Sequence, residues 1–280
     1  MVADTPTLAA QHLCKTFGGL TATNDVSLNL HTGARHALIG PNGAGKTTLI
    51  NLLTGVLPPT SGQISLHGID ITHMAPHRRV KQGLVRTFQI NQLFEPLTPL
   101  QTLALAVSQK YGLGSKLWQR LGKDVRVNRR CEELLERFRL TDVLNQPTRE
   151  LPYGQRRQLE IAVALACEPS VLLLDEPVAG VPAGERDDLL RILDELPDEV
   201  AVLLIEHDMD LVFSFAKSMT VLVNGTILVE GDPDSIANSQ LVQDAYLGHS
   251  AAHTGSQSPQ QNVQSVEAVA QHREESYAHA

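Results

Sequence analysis

Short runs of apolar residues recur along the chain at VSLNL (26–30), HALIG (36–40), SVLLLD (170–175), VAVLLIE (200–206) and TVLV (220–223). Several are too continuous for half-exposed strands. They read as central strands covered on both faces and separated by helix-like segments, which predicts a largely parallel α/β sheet. SLHGIDI (65–71) and LVNGTILVEG (222–231) carry glycine at hairpin positions, the second with Asn224-Gly225 in a two-residue turn, and predict an antiparallel patch added to the sheet.

The middle of the chain changes period. Thr98-Pro99-Leu100-Gln101 supplies a capping residue, a proline in the first turn and a glutamine three positions on. Cys131, Leu134, Leu135 and Phe138 follow helical spacing, as do Leu159, Ala162, Val163 and Ala166, with Pro169 beyond the end. A Gly- and Lys-containing loop, 111–124, interrupts these helices. The pattern divides the chain into a first core part (1–96), a helical insert (97–168), a second core part (169–248) and a tail (249–280). The Gln-, Ser- and His-rich tail predicts disorder, although Val263, Val266 and Val269 could line a weak helix.

The formal charge of −8 argues against a nucleic-acid binder, which normally shows a basic stripe. The three cysteines are far apart and read as reduced thiols rather than a disulfide or zinc framework. The opening MVADTPTLAA has neither a basic nor an apolar signal region, and no apolar run approaches membrane-spanning length. A location in the cytoplasm is expected.

The densest chemistry lies at 40–48, GPNGAGKTT, which fits G-x-x-x-x-G-K-[ST] between a strand and a helix. Gly40, Pro41, Asn42, Gly43, Ala44 and Gly45 form a turn whose N–H groups can face phosphate oxygens. Lys46 can reach the β- and γ-phosphates, Thr47 ends the motif and offers a hydroxyl to Mg²⁺, and Thr48 follows it as a further candidate at the nucleotide. The alternative, a glycine-rich turn without a ligand, is disfavoured by the strand before the motif and the helix after it. VLLLDEP (171–177) ends an apolar strand in two carboxylates. Asp175 suits Mg²⁺, and Glu176 suits acceptance of a proton from an attacking water. No [NT]KxD guanine-reading motif is present.

Three further stretches, RTFQ (86–89), LPYGQ (151–155) and LIEHD (204–208), follow in an order that resembles the ATP-binding-cassette (ABC) family from about residue 7 to Gly248. The resemblance implies a P-loop NTPase (RecA-like) core with an antiparallel β subdomain and an inserted helical subdomain. It implies ATP and Mg²⁺ as ligands. It matches Phe17 to the aromatic that stacks on adenine and Gln89 to the glutamine that senses Mg²⁺ and the attacking water. His207 matches the histidine at the γ-phosphate. On its residue type alone, Phe17 reads as core and His207 as structural.

LPYGQ is similar to the family's signature, usually LSGGQ, which caps ATP held by the opposing subunit. Leu151, Gly154 and Gln155 keep the pattern. Pro152 replaces the serine and Tyr153 the first glycine, so capping by this loop is expected to be weaker. Pro182, in AGVP (179–182), stands where the family often has the aspartate that couples the two ATP sites. The tyrosine-glycine signature, the QLEIA helix and a terminal AYLG together resemble the longer ATPase subunit of branched-chain amino acid-type importers. That implies two permease subunits, a second ATPase subunit (heterodimer, with a homodimer as alternative), an extracytoplasmic solute-binding protein and a peripheral position on the inner face of the membrane. The rival readings are a soluble ABC protein of translation or DNA repair and an exporter ATPase. The first is disfavoured by the single cassette and the absence of a heptad run.

Overall fold

The computed structural model describes residues 5–87, 93–113 and 124–250, with the side chains of 183 and 247–250 set aside. Gln89, most of the 111–124 loop and the tail from 251 lie outside the described residues. In chain order the elements are β1 (Leu8–Phe17), β2 (Leu20–Leu30), β3 (Arg35–Ile39), α1 (Lys46–Thr54), β4 (Ser61–Leu66), β5 (Ile69–Asp70), α2 (Pro76–Lys81), β6 (Leu84–Arg86), α3 (Pro99–Lys110), α4 (Val125–Arg137), α5 (Tyr153–Ala166), β7 (Val171–Asp175), α6 (Ala183–Asp194), β8 (Ala201–Ile205), α7 (Met209–Phe215), β9 (Ser218–Val223), β10 (Thr226–Gly231), α8 (Pro233–Ala237) and α9 (Gln240–Ser250). The chain packs as two compact units, one of residues through Pro76 with those from Ala201 onward, the other His77–Val200.

In the first unit, β3 pairs in parallel with β8 on one side and β9 on the other, and β10 closes antiparallel on β9. All five residues of β3 and of β8 are buried, as the unbroken apolar run of β8 requires; β3 also buries Arg35 and His36. Met209, Val212 and Phe213 of α7 pack with Ala37, Ile39 and Val221 in one cluster. A separate four-stranded antiparallel sheet has the order β2-β1-β4-β5.

VSLNL belongs to that second sheet, not to a covered parallel strand. Val26, Leu28 and Leu30 are buried while Ser27 and Asn29 are exposed. This is the period-2 pattern of a sheet with one wet face, and it outweighs the run's apolar content. The first predicted hairpin likewise lies here, turning at His67 (φ 51°) and Gly68 (φ 76°). The second turns at Asn224 (φ 49°) and Gly225 (φ 78°) and forms the β9–β10 edge of the parallel strands. Both central residues are left-handed, which is the type I′ geometry that suits strand twist.

In the second unit, β6 and β7 pair in parallel, with Leu84 opposite Val171. Helix α3 packs on α4 and α5. The predicted capping box is formed: Thr98 Oγ1 accepts from Gln101 N–H at 3.2 Å, and Gln101 Oε1 accepts from Thr98 N–H at 3.0 Å. Leu103, Val107, Leu134, Phe138, Leu159 and Ala162 are fully buried, so the helical spacing marks the core face.

One buried polar group sets a pH dependence. His36 on β3 is 2% exposed, with Nδ1 2.7 Å from Ser218 Oγ and Nε2 2.7 Å from Thr220 Oγ1. Burial lowers its pKa from 6.5 to about 4. Its neutral form is therefore favoured in the fold, whereas the unfolded chain takes up the proton near 6.5. Stability is lost as pH falls from 6.5 toward 4, by about 3 kcal/mol at the low end. Chemical denaturation at pH 7 and pH 5 should show a larger loss for the wild type than for His36→Asn, and equal losses would contradict this assignment.

Candidate functional site

Strands β3 and β8 run in parallel with Leu38 opposite Ile205. The chain therefore leaves both strands at the same, carboxyl-terminal edge, through Gly40 on one and Glu206-His207 on the other. Such an edge is where open α/β sheets present ligand sites.

The loop from Gly40 to Gly45 is shaped by close backbone approach. Gly40 has φ 151°, and a Cβ there would run into the carbonyl oxygen of Leu222 on β9. Gly45 has φ 102°, and a Cβ would lie 2.6 Å from Ala22 O. Neither position admits a side chain without moving a neighbouring strand. The Asn224-Gly225 turn braces the loop, since Gly225 N–H donates to Ala44 O at 2.9 Å and Asn24 N–H donates to Gly225 O at 2.8 Å. Lys46 Nζ donates to Gly40 O at 2.6 Å and Pro41 O at 3.1 Å, which folds the ammonium back over the loop.

Helix α1 begins at Lys46 on Gly45, with no side-chain cap and no acidic residue in its first turn. Its positive end meets no carboxylate from its own first turn, which is the electrostatic requirement of an anion site. Thr47 is exposed on that turn and Thr48 half-buried; Asn42 and Gly43 are exposed, while Ala44 is buried.

The other residues singled out in this unit occupy accessible positions. Phe17 ends β1 with 46% of its surface exposed, and the Lys15 ammonium sits 5.2 Å from its ring centroid. His207 is exposed, and its N–H donates at 3.0 Å to the carboxylate of Glu206, a side chain that is 1% exposed. The Glu206 carboxylate also accepts from Asp208 N–H at 3.4 Å and so fixes the turn that carries the imidazole.

In the second unit Asp175 closes β7, 6% exposed, and Glu176 follows with φ 48°. A left-handed glutamate is strained, and the turn that holds it is closed by Ala179 N–H donating to Glu176 O at 3.1 Å. Arg86, at the end of β6, donates from Nη2 to Asp175 Oδ2 at 2.6 Å. Parallel pairing of β6 with β7 aligns these two strand ends.

The LPYGQ segment starts α5. Leu151 is buried, Pro152 is the capping residue without a side-chain bond, and Gln155 is half-buried. Tyr153 Oη donates to Ala179 O at 3.1 Å, and the buried Gly154 donates its N–H to Glu185 Oε2 at 2.7 Å.

Four participants escaped the sequence reading: Arg86, Glu185, Glu206 and Tyr246. Arg86 stood in the singled-out RTFQ, Glu206 in LIEHD and Tyr246 in AYLG, so a motif marked each without showing its contact. Tyr246 meets the backbone of Gly40 by a hydrogen bond, and burial pushes its phenol up to about 12. Among the described residues, no group of three or more His, Cys, Asp and Glu side chains could hold a metal ion. Thr47 and Asp175 are hard oxygen donors of the kind Mg²⁺ takes, usually few and supplemented by substrate phosphates.

The model of the family described as "ABC transporter" matches residues 23–179. The chain is 40% identical to the high-affinity branched-chain amino acid transport ATP-binding protein BraF of Pseudomonas aeruginosa, over 87% of this chain and 98% of that protein. It is 38% identical to LivG of Escherichia coli K12, described in the same words, with the same coverage. Among solved structures it resembles a nucleotide-free ATP-binding cassette from an ABC transporter, with TM-score 0.75 and 30% identity, covering 86% of this chain and 99% of that one. The ADP conformation of an ATP-binding cassette gives the same TM-score and identity, covering 87% and 99%.

Proposed function

The chain belongs to the ABC transporter family, and on that premise we propose that it is the ATP-hydrolysing subunit of an importer for branched-chain amino acids or related small polar solutes. The observation that carries the reading is the phosphate loop: a lysine folded over two loop carbonyls at the uncapped start of α1. The relatives' transport role supports the solute class.

The reaction is transfer of the γ-phosphoryl group of ATP to water. The water oxygen bonds to the γ-phosphorus as the bond to the β-bridging oxygen breaks. Lys46 and the N–H groups at the start of α1 stabilise the charge that shifts onto the phosphate oxygens. Glu176 takes the proton of the attacking water, and His207 orients the γ-phosphate. Gln89 is assigned to sensing the water and the metal, and Phe17 to the adenine. Thr47 and Asp175 would hold Mg²⁺, which neutralises β- and γ-phosphate charge when bound. Asp175 would exchange its Arg86 partner for that role.

No helix among the described residues is long and apolar enough to cross a membrane. Coupling to transport is assigned to two permease subunits, as in the resemblance to importers, with this chain peripheral on the cytoplasmic face. A second ATPase subunit completes the pair, and a solute-binding protein delivers the cargo outside. Leu151, Gly154 and Gln155 act on the partner's ATP, and residues 97–168 form the helical subdomain that carries them.

Affinity purification of the tagged chain from detergent-solubilised membranes should recover two integral membrane proteins and a second, different ATPase. Recovery of ribosomal or DNA-repair factors would overturn the importer reading. Recovery of this chain as the sole ATPase would overturn the heterodimer.

A further inference from the structure

The amide of Gly154 is where the signature loop would meet a phosphate, and it is occupied by a side chain of the same protein. Glu185 lies in the first turn of α6 and accepts the Gly154 N–H at 2.7 Å. The approach is tight enough that a Cβ at position 154 would collide with the Glu185 carboxylate. Pro152 explains the opening for it. As capping residue of α5 it has no hydroxyl, so the first N–H groups of the helix lack a local acceptor, and an anion brought from α6 takes one of them.

A second contact clasps the same two segments. The Tyr153 hydroxyl donates to Ala179 O at 3.1 Å, and its ring covers Gly180, where a Cβ would stand 3.3 Å from Oη. The Arg157 guanidinium lies 5.5 Å from the centroid of the Tyr153 ring and is paired with Glu160 at 2.8 Å. The clasped segment, 179–185, is the continuation of the turn that begins at Glu176.

We propose that Glu185 is a positioning residue: its carboxylate holds the signature loop in a resting arrangement and must leave the Gly154 amide before that loop engages a γ-phosphate. The inference rests on the reading that LPYGQ caps ATP held by the opposing subunit. Two anions cannot share one N–H at contact distance, because their repulsion is not offset by the single hydrogen bond each would lose. Engagement of the partner's nucleotide thus costs the Glu185 contact, one of the two that clasp the segment 179–185.

The test uses the assembled complex with its partner subunits. Glu185→Gln keeps the shape and an acceptor oxygen but removes the charge. The ATP concentration for half-maximal hydrolysis should fall on the order of three- to tenfold, with maximal turnover changed less than about twofold. A merely structural role would lower turnover or leave half-saturation where it is, and either result overturns the proposal. In the isolated chain, amide exchange at Gly154 should quicken in Glu185→Ala, and unchanged protection there would refute the contact itself. The underlying reading has its own readout, photocleavage by vanadate trapped with ADP in the partner's site. Cleavage of this chain within 151–155 with unchanged half-saturation in Glu185→Gln overturns the Glu185 assignment alone. Cleavage that spares 151–155 overturns the reading as well.

Discussion

Replacing Glu176 by Gln should leave ATP binding intact and lower hydrolysis by roughly 10²–10⁴-fold, the range for loss of a positioned general base. On the proposed role, Glu176 takes its position at some conformational cost. It follows a fully buried strand and sits at φ 48°, a region that a glutamate occupies only where the surroundings enforce it. Glutamine is nearly isosteric, so the turn closed by Ala179 N–H should persist and the fold should not change. What is lost is the basicity needed to accept the proton of water. The variant should accumulate as a closed, ATP-loaded pair, visible as slow release of bound nucleotide. Near-normal steady-state hydrolysis in the assembled complex would show that Glu176 is not the base.

Lys46→Ala should remove most ATP binding at this chain's own site and most uptake. Charge-assisted hydrogen bonds of the kind a lysine makes to phosphate are worth about 1.5–3 kcal/mol each, so losing two costs roughly two to four orders of magnitude in affinity. The loop itself should survive, because its course is set by Gly40 against Leu222, Gly45 against Ala22 and the Gly225 brace rather than by the lysine. The effect should also be unequal between the two subunits. On the proposed pairing, this chain's LPYGQ, with Pro152 in place of a hydroxyl-bearing residue, would be the poorer cap and would serve the partner's site, and this chain's site would be completed by the partner. The matching lysine substitution in the partner should therefore reduce hydrolysis and uptake less than Lys46→Ala does. A milder loss from Lys46→Ala would contradict the asymmetry.

The parallel strands were legible because VLLL (171–174) and AVLLI (201–205) have no polar position to put toward water, and only a strand covered on both faces tolerates that. The phosphate loop was legible because glycine spacing, lysine and helix start are local to nine residues. VSLNL misled because apolar content was weighed above its alternation. Strand β1 buries Leu8, Ala9, Ala10 and Leu13 with Gln11 and His12 exposed between them, around register shifts, so no simple period marks it. Strand β6 is three residues long and has too little sequence to carry a period.

The contacts that tune the site were hidden for a different reason. Arg86 meets Asp175 only because β6 and β7 align in parallel, and the two are 89 positions apart. Glu185 meets Gly154 across 31 positions, where α6 returns to the start of α5. Nothing in either residue's neighbourhood along the chain specifies such a meeting; strand pairing and helix packing do.

The most direct test of the whole account is solute uptake by proteoliposomes that contain the complete complex and its binding protein, with ATP supplied on the side of the ATPase subunits. The account predicts uptake of a branched-chain amino acid that requires ATP and is lost when this chain carries Glu176→Gln. Uptake that proceeds without ATP, or that continues at the wild-type rate with Glu176→Gln, would contradict it.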